Sequence, residues 1–273
     1  VREGDLKNTF PSSIISALEE KGFVYSESKP PPLRPKMWLD YFQVGKKPLP
    51  DKEQAVAISA LSQQAGKFAP FLLEGITGSG KTEVYLQAIE DILSAGKQVL
   101  ILVPEIGLTP QTVTRFANRF GIDIGVLHSQ LNDKDRLSVW QRAREGELGI
   151  IIGTRSAIFT PMKFPGMIIV DEEHESTYKQ ESTPRYQARE VARERARIEG
   201  AVWVLGSATP SLESWQAAKD SPDMQLLRLT ERVAGGSLPS VKLVDMRVEK
   251  AEKGHWLVVS SQLKYGLKEV LEK

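Results

Sequence analysis

A glycine-rich loop between an apolar run and a helical pattern constrains the fold of this chain more than any other segment. The loop reads Gly75-Ile76-Thr77-Gly78-Ser79-Gly80-Lys81-Thr82. Glycines in such a turn let backbone N–H groups converge on phosphate oxygens, and the helix N-terminus that follows adds partial positive charge. The segment therefore predicts that all eight residues form a phosphate-binding loop in an α/β fold.

The side chains of this loop have specific expected roles. Lys81 is expected to neutralise the β- and γ-phosphates of a nucleotide, and Thr82 is expected to ligate Mg²⁺. The alternative is a glycine-rich turn that only joins a strand to a helix. The loop's position between a strand pattern and a helix pattern favours the nucleotide site.

Strand-like runs alternate with helix-like runs along most of the chain, which predicts βα units and a parallel sheet. The predicted strands are residues 71–74, 98–103, 124–127, 149–152, 167–170 and 201–205, with a late strand at 241–246. Near the start, the pattern predicts a helix capped by Ser12 or Ser13 and stopped by Gly22, followed by a short strand at 23–25.

Composition excludes several classes of function. With 36 basic and 35 acidic residues the net charge is +1, so any polyanion site must be a local patch. The chain has no cysteine and three histidines, which excludes disulfides and thiolate metal sites, and we expect it to bind no zinc. No apolar run is long enough to span a membrane, so a cytoplasmic location is expected.

A second motif follows the apolar run 167–170, where Asp171-Glu172-Glu173-His174 stands at the end of the predicted strand. Ligands of open α/β sheets bind at the carboxyl ends of strands. Asp171 is expected to hold Mg²⁺ through water, and Glu172 to orient and activate the water that attacks the γ-phosphate. An ordinary solvated turn is the alternative, and the glycine-rich loop upstream argues against it.

These two motifs, with Gly206-Ser207-Ala208-Thr209-Pro210, resemble the DEAH-type helicases and translocases of superfamily 2. Longer segments narrow the resemblance to the bacterial replication-restart, or primosomal, helicases, with a likeness that runs roughly from Leu49 to Arg247. The segments are residues 102–111, 153–159, 171–180, 207–214 and 244–247.

The resemblance implies a RecA-like P-loop NTPase lobe with a central parallel sheet, preceded by a small winged-helix remnant. It places the end of a winged-helix domain at residues 1–28, a linker at 29–48, helicase lobe 1 at 49–235 and a connection toward a second lobe at 236–273. The second lobe, its arginine finger and a zinc-binding module are expected outside this chain. The chain alone should therefore hydrolyse nucleotide very slowly.

The function implied by the resemblance is an ATP- and Mg²⁺-dependent DNA helicase that moves 3′ to 5′ in replication restart and primosome assembly. Implied partners are forked and single-stranded DNA, primosome proteins and single-stranded-DNA-binding protein, in the bacterial cytoplasm near the nucleoid and without a membrane. Two alternatives stay open, an RNA helicase or restriction-type translocase lobe, and a nucleotide-gated binding scaffold without turnover.

The resemblance also implies DNA contacts in two groups. Short hydroxyls and a guanidinium suit contacts to the phosphate backbone, and aromatic residues beside cations suit stacking on bases. The first group is Thr109, Thr154, Arg155 and Ser156, and the second is Tyr178, Lys179, Arg185 and Tyr186. The alternatives are a helix N-cap for Thr109, an ion pair for Arg155 and packing of the loop onto the lobe for the tyrosines.

Three further interpretations concern residues around the nucleotide. Gln54 resembles the glutamine that reads the edge of adenine, although the segment 51–54 also fits a capping box. His174 is expected to bridge the acidic motif to Ser207 or Thr209 and so to couple hydrolysis to movement; a single local bond is the alternative. An arginine stripe is interpreted as a solvated, salt-bridged helix face, at Arg189, Arg193 and Arg197.

Overall fold

A computed structural model describes residues 11–23, 38–40, 42–233, 241–253 and 258–271. The chain divides into two compact units, residues 1–233 and residues 234–273. In the described part of the chain, no helix has the length and apolar character needed to cross a membrane.

The first unit contains a parallel seven-stranded sheet with the order β3-β4-β2-β5-β8-β1-β9. Its strands are β1 (Ala69–Gly75), β2 (Gln98–Leu102), β3 (Ile124–Leu127), β4 (Ile150–Gly153), β5 (Pro165–Asp171), β8 (Val202–Ser207) and β9 (Gln225–Leu229). A separate antiparallel hairpin consists of β6 (Lys179–Gln180) and β7 (Tyr186–Gln187). The predicted α/β class and parallel sheet are confirmed.

Several helices of this unit begin at a residue whose side chain accepts a backbone hydrogen bond from the first turn. The helices are α1 (Ser12–Glu20), α2 (Lys52–Ser62), α3 (Lys81–Ser94), α4 (Pro110–Phe120), α5 (Asp133–Glu145), α6 (Ala188–Glu199) and α7 (Leu212–Asp220). Thr109 caps α4 by accepting a hydrogen bond from the Thr112 backbone, and Pro110 occupies the first helical position, where its missing N–H costs nothing.

The sheet is covered on both faces, which explains why β2, β4 and β8 are buried along their whole length. One apolar cluster joins alternate strand residues to α2, α3 and α4, and another joins the remaining strand residues to α5 and α6. Helix α6 approaches the sheet through three fully buried alanines, Ala188, Ala192 and Ala196. This spacing places all three on one helix face.

Because the strands are parallel, their carboxyl ends lie at one edge of the sheet. In sheet order from β4 to β1, the terminal residues at this edge are Gly153, Leu102, Asp171, Ser207 and Gly75. The chain segments at these strand ends carry the glycine-rich loop, the acidic motif and the segments 102–111, 153–159 and 207–214. Strand order therefore assembles them, although they are distant along the chain.

The fold differs from the sequence analysis in two details, and a third prediction lies largely outside the described residues. Helix α1 has Pro11 rather than Ser12 or Ser13 at its N-cap, because the helix already begins at Ser12. Strand β9 was not predicted; it lies at the edge of the sheet beside β1, and its Gln225 and Arg228 are exposed, so it lacks a continuous apolar run. The expected strand at 23–25 lies largely outside the described residues.

The late strand predicted at 241–246 is wrong. Residues 241–245 have no regular structure. The described residues of the second unit form the helices α8 (Met246–Lys253) and α9 (Ser261–Leu271). Asp245 accepts a hydrogen bond from the Arg247 backbone at 2.9 Å, as a residue before a helix does. Val241 and Leu243 are 86% and 94% exposed, so neither gains the burial that a strand would provide.

Candidate nucleotide site

The glycine-rich loop joins β1 to α3, as the sequence predicts. Gly78 and Gly80 have φ values of 84° and 86°, a backbone conformation that L side chains rarely adopt. A Cβ on Gly80 would also collide with the Gln54 amide. Ser79 is buried and its hydroxyl has no hydrogen-bond partner in the described structure. A polar loop with an unsatisfied hydroxyl fits a phosphate ligand.

Lys81 and Thr82 open helix α3 and line one pocket together with Asp171 and Glu172. The Lys81 Nζ donates to the Gly75 carbonyl oxygen at 2.8 Å and lies 3.8 Å from a Glu172 carboxylate oxygen. The Lys81 side chain is only 11% exposed. Its ammonium group is therefore held between the two predicted motifs and at the wall of the pocket.

Asp171 ends β5, and its carboxylate accepts a hydrogen bond from the Tyr85 hydroxyl at 3.0 Å. Burial, followed by the negative charge of Glu172, raises the pKa of Asp171 to about 6. The charged form of Asp171 is therefore destabilised. A nearby cation would stabilise the charged form and so oppose the rise in pKa. Glu172 has a φ of 46°, an uncommon conformation for a residue other than glycine and one that clusters at functional sites.

The pocket suits Mg²⁺ better than a metal held by protein alone. Among the residues that the structure describes, no group of three or more His, Cys, Asp or Glu side chains stands ready to hold a metal ion. Mg²⁺ usually keeps several waters and takes one or two protein ligands together with substrate phosphates. The Thr82 hydroxyl and the Asp171 carboxylate offer such a partial set beside the phosphate-binding loop.

His174 and Ser207 are brought together across neighbouring strands. The His174 Nδ1 lies 2.8 Å from the Ser207 Oγ, and the Thr209 backbone N–H donates to the same oxygen at 3.0 Å. The predicted bridge therefore forms with Ser207. Thr209 takes part through its backbone rather than its hydroxyl.

A family model described as DEAD/DEAH box helicase matches residues 51–218 of the chain. The chain belongs to the DEAD/DEAH box helicase family. The match spans both nucleotide motifs and the loop that contains Ser207. In this family context the lobe is the part of a helicase that carries the phosphate-binding loop.

Relatives that match most of the chain share one printed name. Replication restart protein PriA of Haemophilus influenzae is 46% identical over 90% of this chain and 34% of its own length. Replication restart protein PriA of Bacillus subtilis is 43% identical over 98% of this chain and 33% of its own length. The chain thus spans about a third of the length of the curated relatives that it matches.

Solved helicase structures share the fold. The helicase domain of Pyrococcus furiosus Hef superposes with a TM-score of 0.51 and 19% identity, covering 66% of this chain and 38% of that one. RecG bound to a three-way DNA junction superposes with a TM-score of 0.51 and 22% identity, covering 78% of this chain and 28% of that one. At these identities the likeness supports the RecA-like helicase fold alone.

The Gln54 side chain forms the capping box that was the alternative to adenine recognition. Its oxygen accepts from the Asp51 N–H at 3.1 Å, and its nitrogen donates to the Ser79 carbonyl at 2.9 Å. Asp51 in turn accepts from the Gln54 backbone at 2.8 Å. An amide group has two N–H donors and two acceptor positions. The Gln54 amide therefore keeps one donor and one acceptor position for a further partner, and Gln54 lines the candidate nucleotide pocket.

Tyr178 does not have the exposed ring that stacking on DNA bases requires, so that prediction is wrong for this structure. The ring is fully buried, and its hydroxyl donates to the carbonyl oxygens of Leu102 at 3.1 Å and Asp171 at 2.6 Å. Burial raises the pKa of Tyr178, so the hydroxyl stays protonated and remains a donor. Tyr178 ties the start of the β6–β7 hairpin to the ends of β2 and β5.

We expect Tyr178→Phe to lower the free energy of unfolding by about 1–3 kcal/mol, because two buried carbonyls lose a shared donor. Chemical denaturation followed by fluorescence or circular dichroism measures this change. Tyr186→Phe is the matched control, since the Tyr186 ring packs edge-on against Phe159 at 5.1 Å and is only partly buried. Equal stabilities of Tyr178→Phe and the wild type would show that the buried hydroxyl contributes nothing.

The other residues expected to contact DNA lie around one cavity or beside it. Thr154, Arg155, Ser156 and Tyr186 line this cavity. Among the described residues, Arg155 has no ion-pair partner. Its Nη1 instead donates to two backbone carbonyls at the hairpin entry, Thr177 at 2.9 Å and Lys179 at 2.7 Å. The predicted contacts to DNA stay predictions.

Three remaining predicted DNA contacts differ in how their side chains are engaged. Thr109 is the N-cap of α4, which was its alternative. Lys179 is 67% exposed and lies 3.8 Å from a Glu181 carboxylate oxygen, and the Arg185 Nε donates to the Glu181 backbone carbonyl. Surface pairs of this kind contribute little to stability, so both cations are free to exchange partners.

Tyr85, Glu173 and Arg189 were not assigned to the site from the sequence. Tyr85 contacts the Asp171 carboxylate, and Glu173 is a buried carboxylate paired with Arg189 at 2.6 Å. Of the three arginines predicted to form a solvated stripe, Arg193 and Arg197 are exposed, and Arg197 pairs with Glu194. Arg189 departs from that interpretation because its side chain is only 12% exposed. The third acidic residue of the 171–174 motif was the available signal, since neighbouring carboxylates repel one another and a nearby cation stabilises their charged form.

Proposed function

We propose that this chain is the ATP-binding motor lobe of a DNA helicase that acts in replication restart. One observation carries the proposal: Lys81 at the phosphate-binding loop and Glu172 of the acidic motif meet at 3.8 Å in one open pocket. The family match and the printed name of the relatives support the restart role. Movement 3′ to 5′ belongs to the same proposal.

The residues of the pocket divide the work of hydrolysis. Loop N–H groups and Lys81 would hold and neutralise the phosphates. Thr82 and Asp171 would hold Mg²⁺, which would supply positive charge to the phosphoryl oxygens. Glu172 orients the attacking water and accepts its proton. The contact between His174 and Ser207 connects the acidic loop, residues 171–174, to the end of β8.

Partners of the complete protein follow from the restart role. We propose forked and single-stranded DNA as the substrate, with primosome proteins and single-stranded-DNA-binding protein as protein partners in the cytoplasm near the nucleoid. The expected domain division, with a winged-helix end at 1–28 and a linker at 29–48, belongs to this proposal. Any zinc module lies outside this chain, which has no cysteine.

ATPase assays of the complete protein with single-stranded DNA, with RNA of the same sequence and without nucleic acid test the proposal. We expect stimulation of several-fold by DNA and little by RNA. Equal stimulation by RNA would favour an RNA helicase or a general translocase. Nucleotide binding without turnover under any condition would favour a scaffold. A Glu172→Gln preparation measures contaminating ATPase.

A further inference from the structure

A buried polar cluster lies behind the acidic loop and consists of Glu173, Arg189, Ser211 and Ser214. The Glu173 side chain is 0% exposed, and Arg189 Nη1 lies 2.6 Å from its Oε2. The Ser211 N–H donates to Oε1 at 2.7 Å, the Ser214 hydroxyl donates to Oε2 at 2.8 Å, and the Ser211 hydroxyl donates to Oε2 at 3.2 Å. We call these four residues the Glu173 cluster.

The Glu173 cluster joins three chain segments that the proposed function uses. Glu173 belongs to the acidic loop, and its own N–H donates to the Gly206 carbonyl at the end of β8. Arg189 lies in the first turn of α6, directly after the β6–β7 hairpin. Ser211 caps α7, which follows β8 after a short segment. We call residues 207–210 the Ser207 loop. One carboxylate thus anchors the acidic loop, the hairpin exit and the start of α7.

Fold stability alone does not account for this arrangement. Apolar residues of similar volume stabilise a core as well as a buried ion pair does, because burial of two charges carries a desolvation penalty. What the pair adds is orientation, since a carboxylate that accepts from several fixed donors has one geometry. Arg189 also contacts the exposed Glu190 at 3.4 Å. Because Glu190 is the next residue on the same helix, that contact connects Arg189 to no other segment.

We propose that Glu173 is a positioning residue that holds the Ser207 loop and the hairpin exit in register with Asp171 and Glu172. The inference rests on the proposed function, because it assigns Glu173 to the DNA-stimulated step of hydrolysis. Glu173 touches no nucleotide; it acts through the position of the loops. Without its charge, Ser211 and Arg189 lose their shared anchor, and contact between DNA and the hairpin no longer fixes the acidic loop.

The test is Glu173→Gln in the complete protein, with DNA-stimulated kcat, KM for ATP and the Kd of a fluorescent nucleotide measured together. We expect stimulated kcat to fall about tenfold or more, as for residues within one polar network. The Kd for nucleotide without DNA should stay within about twofold, the factor expected when no direct contact is lost. Glu194→Gln is the matched control, because it removes an exposed α6 carboxylate that pairs with Arg197 at 2.9 Å.

Two further variants separate positioning from folding. The double variant Glu173→Gln, Arg189→Gln leaves no unpaired buried charge. Ser214→Ala removes one donor to the Glu173 carboxylate and also leaves no charge unpaired. Both should melt close to the wild type and still lose DNA stimulation, Ser214→Ala by a smaller factor. If the folded variants keep the DNA stimulation of kcat that the wild type shows, the inference is wrong and the proposed function is unaffected. An unstimulated wild type would overturn the proposed function, and this inference with it.

Discussion

Lys81→Ala should weaken Mg-nucleotide binding by about one to two orders of magnitude, because a charged hydrogen bond to phosphate contributes roughly 1.5–3 kcal/mol. In the structure the Lys81 ammonium donates to the Gly75 carbonyl and lies beside Glu172. Removing it takes away the positive side chain between the loop and the acidic motif. Fold stability should fall by about 1 kcal/mol, since one side-chain hydrogen bond to a backbone carbonyl is lost.

Titration with a fluorescent nucleotide in the presence of Mg²⁺ measures this effect, and a parallel titration with chelator measures the metal contribution. Lys47→Ala is the matched control, because Lys47 is an exposed lysine whose Nζ lies 3.0 Å from the carboxylate of Glu90 on α3, the helix that begins at Lys81. Its removal should leave the Kd unchanged. Equal affinity of Lys81→Ala and the wild type would place the phosphates elsewhere.

Glu172→Gln should lower kcat by about a hundredfold to ten-thousandfold while nucleotide binding persists, because an amide cannot accept the proton of the attacking water. Glutamine keeps the length of the side chain, and therefore its fit beside Lys81 and His174. Because glutamine and glutamate have the same Cβ, the substitution should add no strain at the φ of 46°. The loss should therefore fall on the chemical step.

Single-turnover hydrolysis and nucleotide affinity, measured on the same preparation, separate chemistry from binding. Glu175→Gln is the matched control, since Glu175 lies in the same loop and its N–H donates to the Glu172 carbonyl. Its own carboxylate has no assigned role in hydrolysis. A comparable loss of kcat in both variants would indicate that the loop's charge, rather than a proton acceptor at Glu172, supports hydrolysis.

Apolar periodicity predicted most of the sheet because fully covered parallel strands need continuous apolar runs. The predicted strand 124–127 agrees with β3, and the run 167–170 lies inside β5. Edge strand β9 was missed for the same reason, since its exposed residues interrupt the run. The segment 241–246 shows the converse error, because an apolar pattern forms a strand only where a neighbouring strand accepts its hydrogen bonds.

The sequence by itself identified the nucleotide motifs, because the glycine-rich loop and the Asp171-Glu172 pair each consist of a few consecutive residues. The roles of these residues in nucleotide chemistry stay a proposal. Only the tertiary structure decided the partners that Tyr178, Gln54 and Glu173 find far along the chain. Their hydrogen bonds cross between strand ends and loops that are far apart in the chain. Those contacts depend on the order in which β2, β5, β8 and β1 lie in the sheet, and residue periodicity carries no information about that order.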